Sequence, residues 1–495
     1  MMARIPVLLC AILLSVPPLF GQGDLRRTLL VRIDSVRETD LAKSGIIAYD
    51  DYRPRGILSL VRDTAQVLVT HAEAELLRER GFRCSVLMED TSELQLVRRA
   101  AYGATMRLEP PYHSSMSLMR EVDSLRKAHP SLIRVFPIGN TTQEHQPIYA
   151  VKIAARVGKD NDRPSILING CHHSNELLGA EICLGFLHDV AAKYGKDPEV
   201  TRWLDEFQIV VVPVVNVDGH NVVTSGQDPR WRKNRRDTDG DGEVRYPEGV
   251  DLNRNYNFNW AQGGSGDVGS ERYRGPFPFS ESEAAAIAAL AREERFLCSI
   301  TYHSQGEVIY YPWTWGGRKA PDDRRLTAMA RDIAGSIVTM RGDTCYKAEY
   351  GAGLVGQSYT WLYGTLGTFD FVVETGKGAS FVPPHEVNGV VRANLQGIYT
   401  LLRRAEGPGL LVHVTDAVTR VPLSAEVWFP GIETEDVQRR TSHPRSGILH
   451  RLLMPGLYDI IISRPGYRPV VLEKILVGPS GWTVREVSLQ KTSPR

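Results

Sequence analysis

A histidine and a glutamate three residues apart, His173 and Glu176, stand in the stretch SILINGCHHSNELLGAEICLGFL, residues 165–187. That spacing puts an imidazole and a carboxylate on one side of a short loop or first helical turn, where both can reach one ion. Alone, the pair is an ordinary surface pattern. Its position is less ordinary. It follows a β-branched run and a glycine, at a strand end, which is where open α/β sheets build their sites. His303 ends another such run, CSITYHS, and would complete a His, Glu, His set. Three protein ligands with a fourth position left to water is the arrangement a catalytic zinc uses. Glu374 closes a third run, FDFVVE. A carboxylate there is costly to bury without a purpose such as general-base work. Between these lie WRKNRRD and GVDLNRNYNFNW, which bring Arg232, Arg235 and Arg254 into loops and pack Asp251, Asn253 and Arg254 between strands.

The elements that must hold these residues begin at Tyr112. SMSLMREVDSLRKAH has Met116, Met119, Val122 and Leu125 at helical spacing, and Pro130 stops it. Strand IYAVKI follows, then residues 165–187 as strand, glycine turn and helix, then strand QIVVVPVVN. A long polar, Gly-rich loop is expected from Asp218 to Gly275. SESEAAAIAALAREE reads as a helix with Ser280 and Glu283 spaced as a capping box. CSITYHS, VIYYPW, a helix near 326–340, FDFVVE and a helix near 385–403 complete the domain. Strands alternating with helices give an α/β fold, with a mixed, mostly parallel sheet flanked by helices.

The 495 residues suggest several domains. The N-terminus, MMARIPVLLCAILLSVPPLFGQG, reads as a secretory signal peptide over 1–22; Pro17 and Pro18 break its apolar run too early for a membrane span. Export to a secreted or periplasmic location is expected, without stable membrane insertion. Residues 23–105 alternate strand patterns (LLVRID, IIAY, AQVLVT, CSVLME) with a helix near 72–80, as a small α+β accessory or prosegment-like unit. The main domain spans 112–404. After Gly407 and Pro408, residues 408–495 form short alternating strands between Pro, Gly and Asp turns, a β-sandwich pattern. The formal net charge is +1, which gives no footing for bulk binding to nucleic acid or anionic membrane. With Cys10 removed, five cysteines remain, several in apolar runs, as buried thiols rather than a disulfide framework.

The segment DTDGDGEVRYPE places Asp237, Asp239, Asp241 and Glu248 at positions 1, 3, 5 and 12 of a calcium-loop pattern, with Gly242 at 6. Carboxylates that close repel unless a cation offsets them, so Ca2+ is a candidate ligand; a flexible acidic turn is the bland alternative.

Over about Tyr112–Arg404 the chain resembles the zinc carboxypeptidases of the carboxypeptidase A/B type. The resemblance implies one Zn2+ held by His173, Glu176 and His303, with Glu374 as general acid/base and Arg235 polarising the scissile carbonyl. It implies substrate contacts from Arg232, Asn253 and Arg254, the last two gripping a terminal carboxylate, and Asp251 orienting the first zinc histidine. The tyrosine that folds over the substrate falls on Tyr350, with Tyr346 and Tyr359 as alternatives. Ser174 and Asn175 stand where relatives often carry an arginine, which bears on one outer subsite. The pocket floor falls on Thr314, Tyr359 and Thr360, none acidic, favouring neutral or apolar terminal residues, while Asp322, Asp323 and Asp370 lie near in sequence. The C-terminal sandwich resembles the transthyretin-like domain that follows some members. The function implied is release of C-terminal residues from peptides or proteins. The alternatives are a zinc amidase acting on cell-wall peptides and a catalytically silent binding or adhesion protein that uses the sandwich.

Overall fold

Residues Thr28–Asp34 (β1) turn Leu29, Val31 and Ile33 inward on alternate positions, as a half-buried strand must. With β2 (Gly56–Val61), β3 (Thr64–Thr70) and β4 (Arg83–Met88) they form an antiparallel sheet in the order β2-β3-β1-β4. Helix α1 (His71–Glu79) packs Ala74 and Leu77 on it. Thr70 and Glu73 close a capping box at its start. This is one of two compact units: residues 1–102 with 269–271, and residues 103–268 with 272–495. The computed structural model describes residues 28–36, 40, 56–61, 63–89, 112–158, 163–351, 355–377 and 382–492. The signal-peptide segment and the expected strand IIAY lie outside them.

The larger unit is built on an eight-stranded sheet in the order β13-β10-β14-β9-β7-β8-β6-β5. In chain order its elements are α2 (Ser115–Ala128), β5 (Ile133–Asn140), β6 (Pro147–Ile153), β7 (Ser165–Asn169), α3 (Leu178–Lys193), α4 (Pro198–Glu206) and β8 (Gln208–Val212). Then come α5 (Val217–Thr224), α6 (Ser282–Glu294), β9 (Cys298–His303), β10 (Val308–Tyr311), the small ribbon β11 (Thr314–Trp315) and β12 (Arg318–Lys319), and α7 (Asp323–Ser336). Strand β13 (Lys347–Tyr350), the short α8 (Ser358–Trp361), β14 (Phe369–Glu374) and α9 (Pro384–Ala405) complete it. Four of the seven strand pairings are parallel, including all three among β14, β9, β7 and β8, so the sheet is mixed and mostly parallel.

Helices cover both faces, which is why β7, β8 and β9 are buried at every residue. Ile166, Ile168, Ile300, Tyr302, Phe371 and Val373 face a core shared with α3, α7 and α9. Leu167, Val210 and Val212 face the other way, onto α6 and Trp361. By the period of two, His303 and Glu374 emerge on that second side.

Two expectations change. The stretch after Asp218 is not all loop: α5 begins at Val217, capped by the Asn216 side chain accepting the Gly219 N–H. The Ser280–Glu283 capping box does not form. The buried Glu283 carboxylate instead accepts the backbone N–H and hydroxyl of Thr142, and burial raises its pKa to about 7.

After α9 the chain runs into a three-stranded sheet, β18-β15-β21, and a four-stranded sheet, β17-β16-β19-β20. The strands are β15 (Gly409–Asp416), β16 (Glu426–Trp428), β17 (Arg440–Thr441), β18 (Ile448–Leu452), β19 (Gly456–Ser463), β20 (Val470–Val477) and β21 (Trp482–Leu489). Val412, Val414, Val427, Ile460 and Ile462 form the core between them. Cys84, Cys171, Cys183, Cys298 and Cys345 are free. No described helix is long and apolar enough to cross a membrane.

Candidate active site

The site starts where β7 ends. A Cβ on Gly170 would stand 2.7 Å from the Gly179 backbone, so glycine there lets the strand end and the start of α3 touch. That contact holds the intervening loop, and with it His173, over the end of the sheet. His173 Nδ1 lies 2.8 Å from one Glu176 carboxylate oxygen, and His303 Nδ1 lies 2.8 Å from the other. The two Nδ1 atoms are 3.0 Å apart. All three side chains are almost fully buried.

Two ring nitrogens that close, each against the same carboxylate, leave room for few protons but suit a cation. Ligand atoms roughly 2.0–2.1 Å from a tetrahedral zinc stand about 3.3 Å apart. The spacing is slightly tighter than that, so the set fits a zinc ion after a small opening. His173 Nε2 faces Asp251 Oδ1 at 3.1 Å; with its proton there, Nδ1 is left bare for metal. Burial lowers the His303 pKa, which also favours the neutral, ligating ring. Burial opposes ionisation of Glu176, but His173 and His303 overcome it and hold the carboxyl well below its usual range.

Glu374 is the register partner of His303 across β14 and β9, so the two residues stand side by side at the same end of the sheet. Burial, then the Glu176 charge, raise its pKa to about 8, with Arg232 and Arg254 pulling the other way. A divalent cation on Glu176 adds to that downward pull.

The arginines are placed unequally. Arg232 donates to Glu176 Oε1 at 3.2 Å and to Asp251 Oδ2 at 3.1 Å, so it braces the ligand carboxylate and the acid behind His173. Arg254 is buried, donates to the Asn253 carbonyl at 2.8 Å and stands 4.0 Å from Asp251. Asn253 lies beside the site: its amide nitrogen is 3.2 Å from His303 Nε2, and its Oδ1 accepts the Ser358 N–H. Arg235 lies farther out, 3.4 Å from Glu144 and over the Trp231 ring.

Tyr350 does not join them. It pairs with Tyr311, packs on that ring, and donates to Asp323 on α7 at 2.6 Å, on the opposite side of the sheet. Strand alternation carries it there. Tyr346 bonds Thr375, while Tyr359 is buried beside Arg254, its hydroxyl without a partner among the described residues. Of the pocket-floor residues, Thr314 is exposed on β11, and Thr360 donates to the Gln357 carbonyl. Asp322 and Asp323 are engaged with Arg440, Arg451 and Tyr350. Asp370 is wholly buried and accepts from Thr301.

In the acidic loop, oxygens of Asp237, Asp239 and Glu248 fall within 4.8 Å of one another, but Asp241 turns to Arg245. Asp237 accepts the N–H groups of Asp239, Gly240 and Gly242, and Glu248 those of Thr238 and Arg245. These backbone donors offset part of the repulsion between the carboxylates.

Asn216 carries weight that the sequence did not advertise. Its amide donates to the carbonyls of His172 and Lys233, joining the loop that carries His173 to the loop that carries Arg232. An Asn between a buried strand and a helix was the available signal.

A family model described as zinc carboxypeptidase matches residues 118–397. Mouse carboxypeptidase A4 is 30% identical over 349 residues, covering 66% of this chain and 79% of the mouse protein. Rat mast cell carboxypeptidase A is 25% identical over 403 residues, covering 76% of this chain and 94% of the rat protein. The crystal structure of thrombin activatable fibrinolysis inhibitor superposes with a TM-score of 0.55 at 22% identity, over 76% of this chain and 98% of that one.

Proposed function

The chain belongs to the zinc carboxypeptidase family, and from that premise we propose that it is an exported enzyme that releases single C-terminal residues from peptides. It is a metallocarboxypeptidase hydrolase whose cofactor is Zn2+. The observation that carries the finer reading is the pairing of Glu374 with His303 on adjacent strands, beside the convergent nitrogens and carboxylate.

When bound, the zinc supplies Lewis acidity toward a carbonyl oxygen and toward water. His173, Glu176 and His303 hold it, and Asp251 and Arg232 hold them. Glu374 takes a proton from the attacking water and returns it to the leaving amine. Arg254, with Asn253, fixes the free carboxylate of the substrate through charge-assisted hydrogen bonds, which makes the enzyme an exopeptidase. Arg235, expected at the scissile carbonyl, lies outside the inner cluster against Glu144 and Trp231, and no carbonyl contact is assigned to it. Neutral or apolar terminal residues remain the favoured class, because Asp322 and Asp323 are engaged elsewhere and Asp370 is sealed beneath Thr301. In this reading residues 1–22 address the chain for export, residues 23–105 are an accessory or prosegment-like unit, and residues 408–495 are a transthyretin-like sandwich.

The test pairs a chemical variant with a substrate pair. Glu374→Gln is expected to keep zinc at wild-type stoichiometry and lose roughly 100-fold or more in kcat. Wild-type enzyme is expected to cut free-acid peptides and spare their C-terminal amides. Wild-type turnover in the variant would refute the proton role, and equal cleavage of acids and amides would refute the exopeptidase reading.

A further inference from the structure

Between the catalytic domain and the C-terminal sandwich lies a cavity of about 110 Å³, lined mostly by charged and polar side chains. It is far larger than the room one water needs. Six of its lining residues are Lys or Arg and two are Glu. Most of that positive charge is matched. Lys152 bonds Glu294 at 2.7 Å, and Arg445 bonds Glu293 at 2.8 Å. Arg440 and Arg451 share Asp322 and Glu433 just behind the wall. Arg163 donates to the carbonyls of Ala155, Leu204 and Asp205.

Arg295 is the exception. Among the described residues its guanidinium makes one hydrogen bond, and that bond crosses the seam, from Nη1 to the Thr441 hydroxyl at 3.0 Å. Its Nε is buried without a partner, and no carboxylate among the described residues pairs with it. Burial alone acts on its pKa, downward. The C-terminal end of α6 offsets part of the charge but provides no acceptor for Nε. Of the two histidines in the wall, His443 Nδ1 accepts the N–H groups of Arg445 and Ser446, and burial holds the His450 pKa down to about 4. A half-buried guanidinium in the cavity wall, with a buried unpartnered N–H and no carboxylate beside it, is the kind of unsatisfied group that a bound anion explains.

We infer that this seam is a binding site for a small inorganic oxyanion of phosphate or sulfate size, held by Arg295 of the catalytic domain beside Thr441 of the sandwich. The planar fork of the guanidinium suits such an ion. Because the anion lies between the two parts, it favours their docked arrangement and stabilises the folded chain by mass action. This inference is independent of the peptidase reading.

The probe is inorganic phosphate, titrated by calorimetry into the full-length, zinc-loaded protein at constant ionic strength, with thermal unfolding in parallel. Saturable binding and a saturable rise in Tm are expected. Arg295→Gln should weaken binding at least about tenfold, the scale of losing a charged hydrogen bond. Arg295→Lys should weaken it less, and peptidase kcat should stay at the wild-type value in both. Thr441→Val should weaken binding severalfold, and it decides the matter if Arg295→Gln does not fold. An anion bound at Arg254 instead would survive both substitutions. No saturable binding, or binding unchanged by them, overturns the inference.

Discussion

At Arg232 the geometry departs most usefully from what the sequence suggests. The family resemblance implies a substrate contact for it, and in the folded chain its guanidinium spans Glu176 and Asp251. Partners of that kind hold a ligand carboxylate at its angle, and their loss typically weakens metal binding about 10–100-fold. Arg232→Ala is therefore expected to lower zinc affinity by that factor, read by competition against a chelator, with most of kcat restored in excess zinc. A higher KM with unchanged zinc affinity would return the residue to the substrate. The convergence of His173, Glu176 and His303 was legible in the sequence, because all three sit at or just past the ends of buried strands and share one kind of chemistry. The direction of Arg232 was not, since a long flexible side chain in a loop carries no periodicity. Tyr350 failed in the opposite way: its spacing looked serviceable, but the strand around it turns the ring to α7.

The strands show why some polar residues were hard to interpret from sequence alone. Strand β14 buries Phe371 and Val373 in one core and sends Asp370, Val372 and Glu374 to the other side. Glu374 reaches the end of the sheet and the cation site. Asp370, four residues earlier, is trapped mid-sheet, where its carboxyl accepts from Thr301 and pairs with no cation among the described residues. Burial raises its pKa from 3.8 to about 6. Such a carboxyl binds its proton more tightly when folded. Its favourable contribution is thus complete below about 4 and is lost as the pH rises through 6. Two pKa units correspond to about 3 kcal/mol, so Asp370→Asn should stabilise the protein by that order at pH 8 and by little at pH 4. Thermal melts at the two pH values check this, and an equal effect at both would mean the shift is absent. The alternation that predicts the strand cannot tell these two acids apart, because only the neighbouring strands and the register decide which one meets solvent or metal. The same applies to α6, whose expected capping box lost Glu283 to Thr142, 141 residues away.

At the scale of the whole chain, the sequence marks the sandwich as a separate run of strands beginning after Gly407 and Pro408, but not how firmly it is joined to the catalytic domain. Leu452 of β18 belongs to the same hydrophobic cluster as α7 and α9. Asp322, just before α7, accepts from Arg440 and Arg451 of the sandwich and from the Tyr363 hydroxyl, and Glu433 bonds the same two arginines. All four charged side chains are buried. Against the burial that would raise it, Arg451 and Arg440 hold the Asp322 carboxyl below its usual range. Desolvating four charges is expensive, so the cluster adds little net stability, but it is intolerant of partial loss. Asp322→Leu leaves two buried guanidinium groups with one carboxylate between them. It should cost about 3–5 kcal/mol and split one unfolding transition into two, with the sandwich detaching first. Replacing all four residues with apolar ones of similar size should cost less than that single change, because no charge is then left unpaired. Calorimetric unfolding of the wild type, the single variant and the quadruple variant separates the cases. A single variant milder than the quadruple one would show that the ion pairs stabilise the junction on balance, rather than chiefly fixing the orientation in which the two parts meet.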